Sequence, residues 1–401
     1  MTQLRDGGPA SDPTAFSGRS PGVRGLFRQH VSGDDALLRL AALRFEQAGM
    51  PAELYADSPA ELDRVLAFVP DHPTPPTVHL NRGVDLLNPA DRARVTGFAE
   101  AFAGRVSGLV VHDRPGMRQR LPELVEALRA VGDRDRGPHV FLEYAAGAPL
   151  DWFAEVAAQT ADVERAGVCI DTGHVGLAEV RRALVAPPAV GPLSARDGSL
   201  EAAADRVQAA TAAALPAVLG LIRDVAGAGS TVHFHLHDGH PAVPDLSDHF
   251  SFLFRLPVPF EYRGVRSLDP LYGPTGLGEI LAEAMRRLPP ERCSLTLEVH
   301  QAEGRLPLYG EARALFRHWS DPTNAERFNY WLSVVTDNHL LARSALAQIA
   351  RRAADPTGGA GVAGVAGGDL PDAGAAHQHD DGDDERPTGL PTSTAGSTVR
   401  V

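Results

Sequence analysis

The sequence predicts an α/β fold: a closed (β/α)8 TIM barrel with a C-terminal extra helix and disordered termini. Three observations lead there. Short apolar runs rich in β-branched residues alternate with helical patterns about eight times, which is the count of a closed barrel. Six consecutive strands end in His, Asp or Glu, and a barrel would gather those ends at one mouth. The chain has 401 residues with 43% hydrophobic and 22% charged content, which is ordinary for a soluble protein and enough for one large domain. The expected division is a disordered N-terminus over 1–20, the barrel with its C-terminal helix over 21–354, and a Gly/Ala/Asp-rich tail over 355–401.

The first strand is Val23-Arg24-Gly25-Leu26-Phe27, followed by a helix from Asp34 to Ala48 with Asp34 as its cap. Glu53 to Ala56 forms a second strand, and Ser58-Pro59 opens a helix with Pro at its first position. Thr77-Val78-His79-Leu80 is the third strand, with a helix over 89–103 after it. Leu109 to His112 is the fourth, with a helix over 121–131. His139 to Glu143 is the fifth. The sixth is an apolar run that ends Cys169-Ile170-Asp171-Thr172-Gly173-His174. A parallel strand buried on both faces is expected to be apolar throughout, so its first polar side chain marks the carboxyl end, where barrels place their chemistry. Thr231 to Asp238 is the seventh strand and Ser294 to His300 the eighth.

Two insertions break the rhythm. Ala186 to Gly198 is rich in Pro and Gly and precedes an Ala-rich helix over 200–227. Gly239 to Pro274 is a long connection with Phe250, Phe252, Phe254, Arg255, Tyr262, Arg263 and Arg266. Loops of that length are functional lids or disordered, and the aromatic content points to a packed lid. Arg263 or Arg266 would then hold an anionic or polyhydroxylated substrate, since Arg binds such groups in bidentate fashion. After the last strand, 324–352 reads as one amphipathic helix (Phe328, Trp331, Leu332, Val335, Leu340) covering the barrel exterior.

Composition excludes several classes. No window approaches a membrane span, and the N-terminus lacks a signal-peptide core, so a cytoplasmic location is expected, with no membrane partner. Cys169 and Cys293 lie in apolar runs and read as buried, reduced thiols. The net charge of -13 disfavours nucleic acid as a partner. All 38 basic residues are arginine. Without lysine there is no Schiff base, no pyridoxal phosphate and no P-loop, so neither PLP nor a nucleotide cofactor is expected.

The strand ends carry the chemistry. In order they supply His79, His112, Glu143, Asp171 with His174, His235 with Asp238, and Glu298. A single strand-end His is more often a structural, hydrogen-bonded residue, but six consecutive ionisable ends are not a packing requirement. Mixed imidazole and carboxylate donors suit Zn²⁺, Mn²⁺, Co²⁺ or Fe²⁺. On the seventh strand His233, His235 and His237 share a face, and periodicity does not separate them.

These segments resemble the xylose isomerase-like TIM-barrel superfamily, which holds sugar and sugar phosphate isomerases and epimerases and the endonuclease IV-type AP endonucleases. The resemblance runs from Leu26 to His318. Its most specific pieces are Leu142-Glu143-Tyr144-Ala145-Ala146-Gly147 and Ile170-Asp171-Thr172-Gly173-His174, with His235-Leu236-His237-Asp238 and Leu297-Glu298 beside them. It implies a metal held by Glu143, Asp171, His235 and Glu298, and a possible second metal at His79 and His112 with Glu143. The His-x-x-Asp spacing to Asp238 selects His235 as the strand-seven ligand, with His233 packed deeper and His237 above the metal near substrate. The endonuclease branch has a third site using the equivalent of His174 and an Asp-x-His element. Here that region reads Asp269-Pro270-Leu271-Tyr272, which puts DNA cleavage in doubt. The active-site lysine of classical xylose isomerases is absent too.

The resulting expectation is a divalent-metal-dependent isomerase or epimerase acting on a sugar, a sugar phosphate or a similar small polyol. Glu143 and Glu298 would exchange the proton as base and acid, His174 would bind a substrate hydroxyl, and His79, His237, Arg263 and Arg266 would contact substrate. The alternatives are a two-metal phosphoesterase or endonuclease IV-like hydrolase, a lyase or dehydratase, and a non-catalytic metal-binding barrel.

Overall fold

The computed structural model describes residues 22–27, 34–69, 71–134, 136–185, 203–239, 270–299 and 324–354. Its centre is a closed barrel of eight parallel strands in sequence order. These are β1 (Val23–Phe27), β2 (Ala52–Ala56), β3 (Thr77–Leu80), β4 (Gly108–His112), β5 (His139–Glu143), β6 (Ala166–Asp171), β7 (Thr231–Leu236) and β8 (Cys293–Leu297). The barrel closes where β1 pairs with β8, Val23 opposite Leu295 and Gly25 opposite Leu297. The helices are α1 (Asp35–Ala48), α2 (Pro59–Leu66), α3 (Pro89–Ala101), α4 (Leu121–Gly132), α5 (Leu150–Thr160), α6 (Thr172–Val185), α7 (Ala204–Thr211), α8 (Ala214–Ala228), α9 (Gly273–Arg287) and α10 (Ala325–Ala354). The expected (β/α)8 barrel with an added C-terminal helix is therefore the fold observed.

Local chemistry sets the helix ends. Asp34 accepts from Ala36 N at 2.9 Å and caps α1, Ser58 accepts from Glu61 N, and Asn88 accepts from Ala90 N. Helix α1 stops at Gly49, whose φ of 56° is left-handed backbone that glycine adopts without strain.

The main core lies outside the barrel, between the strands and the helices. Leu38, Phe45, Leu54, Val78, Leu109, Leu128, Leu142, Phe153, Ile170, Ile222 and Leu295 are all buried in it. The inside of the barrel differs from the expected apolar run. Among the described residues its only separate apolar cluster is Val110, Phe141 and Cys169. Arg24, Glu53, Thr77, His233, Ser294 and Thr296 are also fully buried, and alternation along the strands turns them inward. Two glycines make room for the one large apolar ring. A Cβ on Gly108 would lie 2.7 Å from the Phe141 ring, and one on Gly167 would lie 3.1 Å from it.

Three boundaries depart from the expected ones. The Ala-rich segment is two helices, α7 and α8, rather than one over 200–227. Within it Asp205–Ala228 has the length and composition of a membrane span, contrary to the reading that no window does. Val218, Leu221, Ile222 and Val225 of α8 are nonetheless buried, and α8 packs against α5, α6 and α9 on the barrel exterior. Strands β7 and β8 end at Leu236 and Leu297, so Asp238 and Glu298 stand just beyond the ladder. Helix α10 covers β1 and packs on α1 and α9, with Phe328, Trp331, Leu332 and Val335 buried, whereas Leu340 is exposed. The proposed lid arginines Arg263 and Arg266, the first insertion and both terminal segments (1–20 and 355–401) lie outside the described residues. Cys169 and Cys293 are free and buried.

Candidate functional site

The strand-end residues do converge. Register places Asp171 opposite His235 across β6 and β7, and Glu143 opposite both His112 and Cys169. His235 is fully buried, with Nδ1 3.3 Å from Glu143 Oε1 and 3.9 Å from Glu298 Oε2. Asp171, His235 and Glu298 present ligand atoms within 4.8 Å of one another, as do Glu143, Asp171 and His174, and His79, Glu143 and His235. All four residues expected to hold the first metal thus face one small volume.

The second expected set adjoins it. His79 Nε2 lies 2.8 Å and His112 Nε2 3.1 Å from Glu143 Oε2, and the two Nε2 atoms are 3.1 Å apart. His174 sits at the rim on the first turn of α6. Its backbone N–H donates to Asp171 Oδ1 at 2.7 Å, and its Nε2 lies 3.8 Å from Asp171 Oδ2. With 23% of its side chain exposed, against 12% for His112 and almost nothing for the carboxylates, His174 is the most accessible imidazole of the cluster. His237, expected near substrate, is fully buried. Its Nε2 lies 2.8 Å from Asp171 Oδ1 and 3.2 Å from Glu298 Oε2, and its Nδ1 donates to Asp238 O. It links two carboxylates of the cluster.

Sequence reasoning missed several residues that build this arrangement. Glu53, at the foot of β2, contacts His235 Nε2 at 2.9 Å and His233 Nε2 at 2.9 Å. Tyr55, two residues on and so on the same inner face, donates its hydroxyl to Glu298 Oε1 at 3.1 Å. Asp113 follows β4. Its N–H donates to Glu143 O at 2.8 Å, and its carboxylate accepts from Ala145 N and Ala146 N, fixing the turn that carries Glu143. Thr172 Oγ1 donates to His237 O at 2.6 Å and ties the exit of β6 to that of β7. Asp238, which the sequence did single out as a strand-end residue, accepts from Gly239 N, Tyr272 N and Gly273 N, so it joins the two ends of the long insertion. The available signal was a carboxylate on the inner face of β2 and an Asp directly after β4.

Electrostatics sharpen the picture. Burial would raise the Glu143 pKa, but His112, His235 and His79 hold it well below the usual carboxylate range. Burial acts likewise on Glu53, and His235 and His233 reverse it to the same effect. Burial opposes charge on His235, yet Cys169 and the Glu53, Glu143 and Glu298 carboxylates outweigh it and hold the ring well above the imidazole range. On His237 burial is overcome by Asp171 and Glu298, which push the pKa to about 10. His233 goes the other way: burial lowers it to about 4, despite Glu53 beside it. Burial raises Asp238 to about 7.

The residues fit a divalent cation. Four carboxylates, those of Glu53, Glu143, Asp171 and Glu298, are buried among the imidazoles of His79, His233, His235 and His237. Their negative charge needs positive charge at the centre. Asp171 Oδ2 is buried and has no hydrogen-bond partner among the described residues. Mixed nitrogen and oxygen donors at this spacing could hold a divalent metal ion.

No family model matches the sequence, and no curated protein matches it. Solved structures that match the chain include these two. One is a xylose isomerase-like TIM barrel protein from Mycobacterium smegmatis in complex with magnesium: 14% identity, TM-score 0.41, covering 81% of this chain and 98% of that one. The other, from Anabaena variabilis ATCC 29413, is provisionally assigned as a sugar phosphate isomerase/epimerase: 10% identity, TM-score 0.44, covering 82% and 99%. At these values neither transfers a residue role or an activity to this chain.

Proposed function

We propose that the protein is a divalent-metal-dependent isomerase or epimerase of a sugar, a sugar phosphate or a similar small polyol. The observation that carries the reading is the pair of buried carboxylates, Glu143 and Glu298, set around His235 Nδ1 at 3.3 and 3.9 Å. Glu143, Asp171, His235 and Glu298 would hold the ion. Bound there, a divalent metal supplies Lewis acidity that polarises adjacent carbonyl and hydroxyl oxygens and acidifies the C–H between them.

The chain's own groups do the rest. One of Glu143 and Glu298 removes that proton, and the other returns a proton to the opposite face or to the neighbouring carbon. Tyr55 holds Glu298 through Oε1, leaving Oε2 turned toward His235 and His237. His79 and His112 hold Glu143 through Oε2, leaving Oε1 turned toward His235. His174, at the rim, binds a substrate hydroxyl. Arg263 or Arg266 of the long insertion supplies positive charge to an anionic substrate in this net-acidic chain.

A second reading has one specific observation behind it. His79, His112 and Glu143 form a ready second set of donors, which a two-metal phosphoesterase requires and an isomerase does not. Incubation of the metal-loaded protein with ketoses and ketose phosphates in D2O separates the two. The isomerase reading expects a product with solvent deuterium at the carbon beside the carbonyl. Release of phosphate or cleavage of a diester without C–H exchange contradicts it and supports the hydrolase.

A further inference from the structure

We propose that Glu53 is the positioning carboxylate of His235, and that it commits Nδ1 of that ring, rather than Nε2, to the bound metal. The inference rests on the metal-site reading above and adds to it a residue outside the strand-end set.

The two nitrogens of His235 face opposite ways. Nε2 points down the barrel and lies 2.9 Å from Glu53 Oε1, at hydrogen-bonding distance although not aligned as a hydrogen bond. Nδ1 points to Glu143 Oε1 at 3.3 Å and Glu298 Oε2 at 3.9 Å. Glu53 is held on its other oxygen. Oε2 accepts from Thr77 Oγ1 at 2.6 Å, from Thr296 Oγ1 at 2.8 Å and from His233 Nε2 at 2.9 Å. The hydroxyl of Ser294 lies 2.6 Å from His233 Nδ1 and fixes that ring in turn. All five residues are fully buried. Oε1 is the oxygen left for His235, with no hydrogen-bond partner of its own among the described residues.

A carboxylate behind a metal-bound imidazole fixes its tautomer and ring orientation and strengthens it as a donor. Here the barrel floor provides that carboxylate. With the proton on Nε2 facing Glu53, the lone pair on Nδ1 faces the Glu143 and Glu298 carboxylates. Strand β2 contributes nothing to the strand-end set, yet it would support that set twice, from below through Glu53 to His235 and at the level of His79 through Tyr55 to Glu298.

The test uses the full chain and Zn²⁺ alone. Long-range ¹H–¹⁵N correlation spectra of the Zn²⁺-loaded wild-type protein, with His235 assigned by its loss in His235→Asn, read which ring nitrogen carries the metal. The expected result is a metal-shifted Nδ1 and a protonated Nε2. Glu53→Gln keeps the side-chain volume and should weaken Zn²⁺ binding about tenfold in chelator competition at unchanged stoichiometry. Zinc on Nε2, or a Glu53→Gln affinity equal to wild type, overturns the proposal while leaving the metal site standing. A wild-type protein that takes up no Zn²⁺ overturns both. If Glu53→Gln does not fold, the wild-type spectrum still decides.

Discussion

Asp171→Asn is expected to lose its metal. After dialysis against a chelator and reloading with Zn²⁺ or Mn²⁺, the variant should hold less than about a tenth of the wild-type metal, since a lost ligand leaves too few donors. Asparagine separates this from unfolding. Asp171 Oδ1 accepts the His174 N–H at 2.7 Å at the start of α6, and an amide oxygen does the same. The second position, Oδ2, is buried without a hydrogen-bond partner among the described residues. There the amide places an NH2 group, which donates and cannot ligate. Asp171 contributes to two of the clusters around the centre, so no neighbour replaces it. Unchanged circular dichroism with lost metal is the expected pair of results. Full occupancy in Asp171→Asn would remove it from the site.

Glu298→Gln is expected to lower kcat per bound metal by about 10²–10⁴, the range of a lost general acid or base, and to weaken metal binding with it because Glu298 is one of the four donors. Each tenfold of that is about 1.4 kcal/mol of transition-state stabilisation. Glutamine retains an acceptor for the Tyr55 hydroxyl, which reaches Glu298 Oε1 at 3.1 Å, so the side chain stays in place. It no longer takes or gives a proton. The readout is turnover of whichever sugar shows solvent deuterium exchange with the wild-type protein, with metal content measured in the same samples. An unchanged kcat with intact metal would assign the proton transfer elsewhere.

The barrel was legible because each strand is a short apolar run between helical patterns, and because the strands stop where ionisable residues begin. The site was legible for a related reason: closure forces Glu143, Asp171, His235 and Glu298 to one mouth however far apart they are in sequence. The barrel floor was harder to read. A parallel strand is expected to be apolar on both faces, so Glu53 within Ala52–Ala56 and Arg24 within Val23–Phe27 carried no evident partner. Their partners Thr77, Ser107, His233 and Thr296 come from distant segments, and only the three-dimensional register brings them together. The three alternating histidines of β7 show the limit most clearly. Their common face is visible in sequence, but all three are fully buried, and only their partners in space separate a His233 held between Ser294 and Glu53 from a His237 clasped by Asp171 and Glu298. The break between α7 and α8 falls in an Ala run just before Pro216, which sits in the first turn of α8 and lacks the N–H that one continuous helix would need there.

The central claim is a single divalent metal at Glu143, Asp171, His235 and Glu298. The most direct measurement is metal content per chain of the wild-type protein, by elemental analysis after loading and removal of free ions. The account predicts about one tightly held equivalent of a first-row transition metal. Two tightly held equivalents would point to the hydrolase and contradict the isomerase, and none would contradict the site itself.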